Sequence, residues 1–130
     1  MPQIESVLRT ILLADTTVSP LVSTRIYQTR LPAVPTFPAV TYQMIDRPQD
    51  PLTGITTARI QYTCMATTWA KAAELADAIR CALHGYKGTT GDVRIYYIRY
   101  VEQHDDYDET SQIYWIPVDV LVTYLDLPTT

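Results

Sequence analysis

Tyr114-Trp-Ile-Pro-Val-Asp-Val-Leu-Val-Thr-Tyr124 alternates apolar and mixed positions without a slip. Tyr114, Ile116, Val118, Val120, Val122 and Tyr124 share one face, opposed by Trp115, Pro117, Asp119 and Thr123. A period of two sustained this long marks a strand with one face in a core and the other turned away from it. The even face is therefore core. Pro117 has no N–H to give to a ladder, so its amide side is expected to face solvent, a bulge or a partner, which points to an edge position.

Two upstream segments carry the same parity. Ala58, Ile60, Tyr62, Cys64 and Ala66 alternate with Arg59, Gln61 and Thr63, which predicts a strand from about Thr56 to Ala66 with its even face buried. Val40, Tyr42 and Met44 against Thr41 and Gln43 predict another over Ala39 to Ile45. The residues between them, Asp46 to Gly54, are too many for a tight hairpin and rich in breakers, so a projecting loop is expected. From Asp92 to Val101 the pattern is less one-sided, with Ile95, Tyr97 and Val101 against Arg94, Tyr96, Ile98 and Tyr100, and both faces are expected to be covered.

Helical spacing governs two other stretches. Ile4, Val7, Leu8, Ile11 and Ala14 form one stripe, with Glu5 and Arg9 four apart on the far side as a supporting pair. Ala72, Leu75, Ala76, Ile79, Ala82 and Leu83 form a wider stripe in a helix capped by Thr67 or Thr68 and running to about His84. Gly85 supplies the stop, and Gly88 and Gly91 are expected to keep the following connection flexible. Ser19-Pro20 can open a short turn, and Arg25-Ile26-Tyr27 reads as a short strand. Pro32, Pro35 and Pro38 make Arg30 to Pro38 an extended strap. The order is helix, short strand, strap, strand, strand, helix, strand, strand. With no βαβ alternation, this predicts one α+β domain over residues 1–130: a mainly antiparallel sheet, two helices on its apolar face, a long projecting loop and a C-terminal β-hairpin.

The 130 residues, 47% hydrophobic and 18% charged, suffice for one sizeable core. Glu102 to Thr110 (EQHDDYDET) holds five of the fourteen carboxylates, so the formal charge of −4 arises at what reads as a hairpin tip. An acidic pI near 4.9 and no Lys/Arg run in the sequence argue against nucleic acid as a partner. No apolar run reaches the roughly 20 residues that span a bilayer, and MPQIESVLR lacks the pattern of a leader; a soluble cytoplasmic chain is expected. Cys64 is expected to face inward and Cys81 outward, without a disulfide.

Catalytic apparatus is not legible. Asp106-Tyr-Asp108-Glu-Thr110 resembles the start of a calcium loop, but Ser111 stands where the turn glycine belongs and Pro117 where the bidentate Glu belongs. Gly85, Gly88 and Gly91 follow a helix rather than open one, so they do not cradle phosphate. Cys81 and His84 share a helix face but have no third ligand or orienting carboxylate. No serine sits in a glycine-flanked elbow. No catalytic, metal or cofactor residue is expected. Partner contacts are expected instead, at Asp46, Arg47, Asp50 and Leu52 on the loop and at Glu102, Asp105, Asp106, Asp108 and Glu109 on the acidic stretch. Tyr96, Tyr100, Trp115 and Pro117 are candidates for a subunit interface, where exposed aromatics are enriched.

Read together, VLRTILLADTTVSPLVSTRIYQTRLPAVPTFPAVTYQMI, ARIQYTCMATTWAKAAELADAIRCALHGYKG and DDYDETSQIYWIPVDVLVTY resemble the small tail-completion or tail-terminator proteins of long-tailed bacteriophages and prophages. The similarity rests on the order of elements, Leu21-Val-x-x-Arg-Ile-Tyr27, Pro38-Ala-Val-x-Tyr42, the Ala-rich second helix ending at Gly85 and the Asp-rich turn before Tyr114. The resemblance implies a structural virion protein with no enzyme activity and no cofactor, assembled in the host bacterial cytoplasm. It also implies a ring, commonly a hexamer, that caps the tail tube at the tail neck and meets the tail-tube protein and the head-connector protein. Such a ring would gather about thirty carboxylates into one band. The residues also leave open another neck or tail-tube component and a cytoplasmic ligand-binding module.

Overall fold

The computed structural model describes residues 4–90 and 92–126, so the flexibility expected at Gly91 lies outside the described residues. Within them the order is α1 (Ile4–Ala14), α2 (Ser19–Val22), β1 (Ile26–Gln28), β2 (Ala39–Asp46), β3 (Thr56–Ala66), α3 (Trp69–Leu83), β4 (Gly88–Thr90), β5 (Val93–Gln103), β6 (Asp106–Asp108) and β7 (Ile113–Asp126). A single sheet runs β1-β2-β3-β7-β5-β4, and β6 also pairs with β7. The class is α+β, but the sheet is mixed rather than wholly antiparallel. The proline strap carries the chain back along the sheet edge, so β1 enters parallel to β2.

Register explains the shared parity. Ala58, Ile60, Tyr62, Cys64 and Ala66 of β3 stand opposite Val122, Val120, Val118, Ile116 and Tyr114 on β7, even against even. Val40 and Tyr42 stand opposite Cys64 and Tyr62 in the same way. These side chains form one core with Ile4, Val7, Leu8 and Leu12 of α1 and Ala72, Leu75, Ala76, Ile79 and Leu83 of α3. Full burial of a side chain such as Ile60 or Leu75 stabilises the fold by about 1.5–3 kcal/mol, so this pattern dominates the choice of register.

Local chemistry sets the helix positions. Thr68 accepts a hydrogen bond from the Lys71 amide at 3.3 Å, the cap of α3. Gly85, at φ +83°, turns the chain after that helix, and its amide donates to Ile98 O. The surface pair expected on α1 is replaced by a different arrangement. Glu5 is buried, while Arg9 reaches across to Ile26 O at 2.9 Å and Thr24 O at 3.2 Å, tying α1 to β1. Arg25 similarly holds the strap by donating to Pro38 O at 2.9 Å.

Several expectations need correction. β7 lies between β3 and β5, so Pro117 is not on an edge. It pairs in register with Thr63 of β3; on the other flank, pairing stops at Gln103–Val118 and resumes at Asp106–Trp115. A residue without an N–H is thus accommodated opposite a break between β5 and β6, inside the sheet. β5 is exposed at Arg94, Tyr96, Tyr97 and Arg99, so its two faces are not both covered. Its ambiguous pattern comes from two bulges, between Ile95 and Tyr97 and between Tyr100 and Glu102, each of which shifts the inward parity by one. Gly88–Thr90, expected to be flexible, is strand β4.

Candidate interaction surfaces

The acidic stretch is not one tip. Glu102 belongs to β5 and Asp106 to Asp108 form β6, so the turn that reverses the chain is residues 109–112. That turn is braced by Asp108, which accepts from Ser111 Oγ at 2.6 Å and from the Thr110 amide at 3.3 Å; the Gln112 amide closes on Asp108 O at 2.8 Å. The Ser111 hydroxyl lowers the Asp108 carboxyl below its ordinary range, against desolvation and with help from the Thr110 and Ser111 amides. Asp105 accepts from the Trp69 indole at 3.0 Å, which docks β6 on the start of α3. Asp106 and Glu109 are exposed, and among the described residues Asp106 accepts from the neighbouring Tyr107 amide at 2.8 Å.

Glu102 faces a network on the side of the sheet away from the core. Arg59 donates through Nε (3.0 Å) and Nη2 (2.6 Å) to Asp119 Oδ2 and through Nη2 to Glu102 Oε1 at 3.0 Å; Gln61 donates to Asp119 Oδ1 at 3.0 Å. Asp119 is 6% exposed, and its hydrogen bond to Arg59 holds the guanidinium above its ordinary range. This carboxylate is saturated by β3 donors, so it organises the sheet surface rather than a ligand. Beside it runs an open groove of about 500 Å³ floored by Gln43, Gln61, Thr63, Met65, Trp115 and Pro117.

The loop between β2 and β3 is ordered. Asp50 Oδ1 accepts from the Leu52 amide at 2.8 Å, Gly54 N donates to Asp50 O, and Gln49 Nε2 donates to Gly54 O at 3.0 Å. The outcome is Leu52 held at 95% exposure on a braced turn. Asp46 and Asp50 are exposed beside it. Arg47 is turned toward the sheet, where it hydrogen-bonds the Tyr124 phenol; burial pushes that phenol up and Arg47 opposes the shift.

At the other flank, β5 carries two of the expected aromatics, Tyr96 and Tyr100, with one addition, while Trp115 lies on β7 in the groove just described. Tyr96 and Trp115 are each exposed by 38%, Tyr100 packs partly against the core, and Tyr97, not expected here, is as exposed as Tyr96. His84 Nδ1 accepts the Tyr100 amide at 3.0 Å, and the His84 and Tyr97 rings meet edge to face at 6.0 Å. With Nδ1 accepting the Tyr100 amide, the neutral imidazole carries its hydrogen on Nε2 and is left without a free lone pair. Among the described residues no group of three His, Cys, Asp or Glu side chains is placed to hold a metal ion. No helix among them is long and apolar enough to cross a membrane.

The sequence alone missed Trp69, Tyr97 and the partnership of Arg59 with Asp119. A usable signal existed for the last: the one charged residue within Tyr114–Tyr124 and the one charged residue of the strand of equal parity share the outward face, and pairing brings them together diagonally across the ladder.

A family model described as tail completion protein gp17 matches residues 6–125. No curated protein matches the chain in sequence. Among solved structures, a chain described as virion of native gene transfer agent (GTA) particle is similar, with a TM-score of 0.72 and 16% identity over 90% of each chain. That likeness is one of fold.

Proposed function

The chain belongs to the tail completion protein gp17 family, structural phage tail proteins rather than enzymes, and from that premise we propose that it caps the finished tail tube as a ring and provides the surface for head–tail joining. The ring is a hexamer in this reading, sits at the tail neck and is assembled in the bacterial cytoplasm. Its partners are copies of itself, the tail-tube protein and the head-connector protein; nucleic acid and membrane are not partners.

The family match over residues 6–125 carries this reading, and the surface supports it. Leu52 and Asp50 stand on a braced loop, next to Asp46 at the end of β2, at one end of the sheet, and Asp106 and Asp108 of β6 with Glu109 of the braced turn after it stand at the other. Contacts offered on turns that are already ordered lose little conformational entropy on docking. We assign the loop to a neighbouring virion component and the β5 tyrosines with Trp115 to contacts between subunits. Glu102, Asp105 and Arg47 serve through internal contacts, and Pro117 through the break it imposes on the sheet.

Mixing the protein with tail tubes and counting subunits at the tube end by electron microscopy tests the reading. A stoichiometric ring at one end, and tubes that no longer lengthen, is the expected result. Binding along the tube wall, or no binding, overturns it.

A further inference from the structure

Four of the chain's ten basic side chains lie on or against β5, Arg94 and Arg99 on its outward face opposite Leu125 and Leu121, Arg80 and Lys87 from α3 and the segment after it. Arg94 and Arg99 lie on the strand and are exposed; Arg80 sits over the Tyr100 ring at 5.4 Å and Lys87 over the Tyr97 ring at 5.8 Å. Arg80 has Asp77 at 3.4 Å, whereas Lys87, Arg94 and Arg99 make no ion pair among the described residues. Asp92 and Asp126 flank only the Val93 end of the strand. The opposite imbalance occurs along β6 and the turn that follows it, where Asp105, Asp106, Asp108 and Glu109 likewise have no cationic partner among the described residues.

Within one copy these two charge clusters cannot neutralise each other. Arg99 stands opposite Leu121 and Asp106 opposite Trp115, six residues apart along β7. That separation is about 20 Å, well beyond the screening length of about 8 Å at physiological salt. This side of β5 does not invite strand addition, because β4 already pairs with Val93–Ile95, Ile98 O is taken by the Gly85 amide and the Tyr100 amide by His84 Nδ1. What the edge presents is side chains: arginines, a lysine and tyrosines, types that seat carboxylates by charge-assisted hydrogen bonds.

We propose that the partner of the acidic β6–β7 turn is a second copy of this chain, seated against its basic, tyrosine-lined β5 edge. The contact joins unlike surfaces, so each copy offers a turn to one neighbour and an edge to the next, the head-to-tail relation from which rings close. This rests on the ring reading above and specifies the contact that holds the ring.

Charge reversal tests it on tail tubes. The turn variant Asp106→Lys/Glu109→Lys and the edge variant Arg94→Glu/Arg99→Glu replace exposed side chains, and each should fold with an unchanged circular dichroism spectrum. Either variant alone is expected to lose the ring at the tube end. Mixed in equal amounts they should restore it, because the acidic turn of one then meets the basic edge of the other and the reverse pairing is equally favourable. A single chain carrying all four substitutions should also form rings. Rings from either variant alone would overturn the contact while leaving the ring intact. Loss in both without restoration by mixing or by the combined variant would show that the charges face the tube instead, and would overturn it too. Failure of the unsubstituted protein to form rings would instead remove the reading on which the proposal rests, and the proposal with it.

Discussion

Tyr62 and Cys64 sit two residues apart on the buried face of β3, and each carries a polar atom into a fully enclosed site. Burial pushes both groups up, so the phenol and the thiol stay protonated. Cys81, by contrast, is exposed on α3. A thiol reagent should therefore label one cysteine quickly in the native protein and a second only after unfolding, as followed by mass spectrometry; fast labelling of both would displace β3 from its register. The Tyr62 hydroxyl has no protein hydrogen-bond partner among the described residues. Tyr62→Phe should accordingly leave stability unchanged or raise it by up to about 1 kcal/mol in urea unfolding, and a clear loss would mean that the hydroxyl is used. Both inward positions were legible from parity alone. The burial of Glu5 was not, because helical spacing places it off the apolar stripe and only the docking of α1 encloses it.

At the scale of elements, β2, β3, β7, α1 and α3 were legible because the apolar residues of each keep one period over most of its length. β5 was not, since two bulges change its phase, and β4 and β6 were hidden because three residues each are too few to show a period. The acidic run likewise reads as a single solvated tip until pairing divides it into strand and turn. The turn has a pH signature of definite sign. The Asp108 carboxyl lies below its ordinary range in the folded protein, so its stabilisation is complete above the unfolded value of about 3.9 and is lost as pH falls through the lower folded value. Nuclear magnetic resonance titration should give a depressed Asp108 midpoint and faster exchange of the Thr110 amide below it. Ser111→Ala should move that midpoint back toward the ordinary range; an unchanged midpoint would show that the hydroxyl does not set it.

For the whole molecule, the loop end offers the cleanest separation of folding from docking. Leu52 touches almost nothing in its own chain, so Leu52→Asp should change unfolding free energy by no more than about 0.5 kcal/mol while weakening attachment to the neighbouring virion component in a sedimentation assay. Equal attachment by the variant would take the loop out of the joint. The central position of β7 has a further bearing on what such a joint withstands. β3 grips that strand along one flank and β5 with β6 along the other, and its two ends lie at the acidic turn and beside the Asp50 loop. Tension drawn between those ends runs parallel to the strands, so the ladders on both flanks are strained in shear together instead of peeling open one bond at a time. A subunit pulled between its turn and its loop would then resist as a unit and keep its shape.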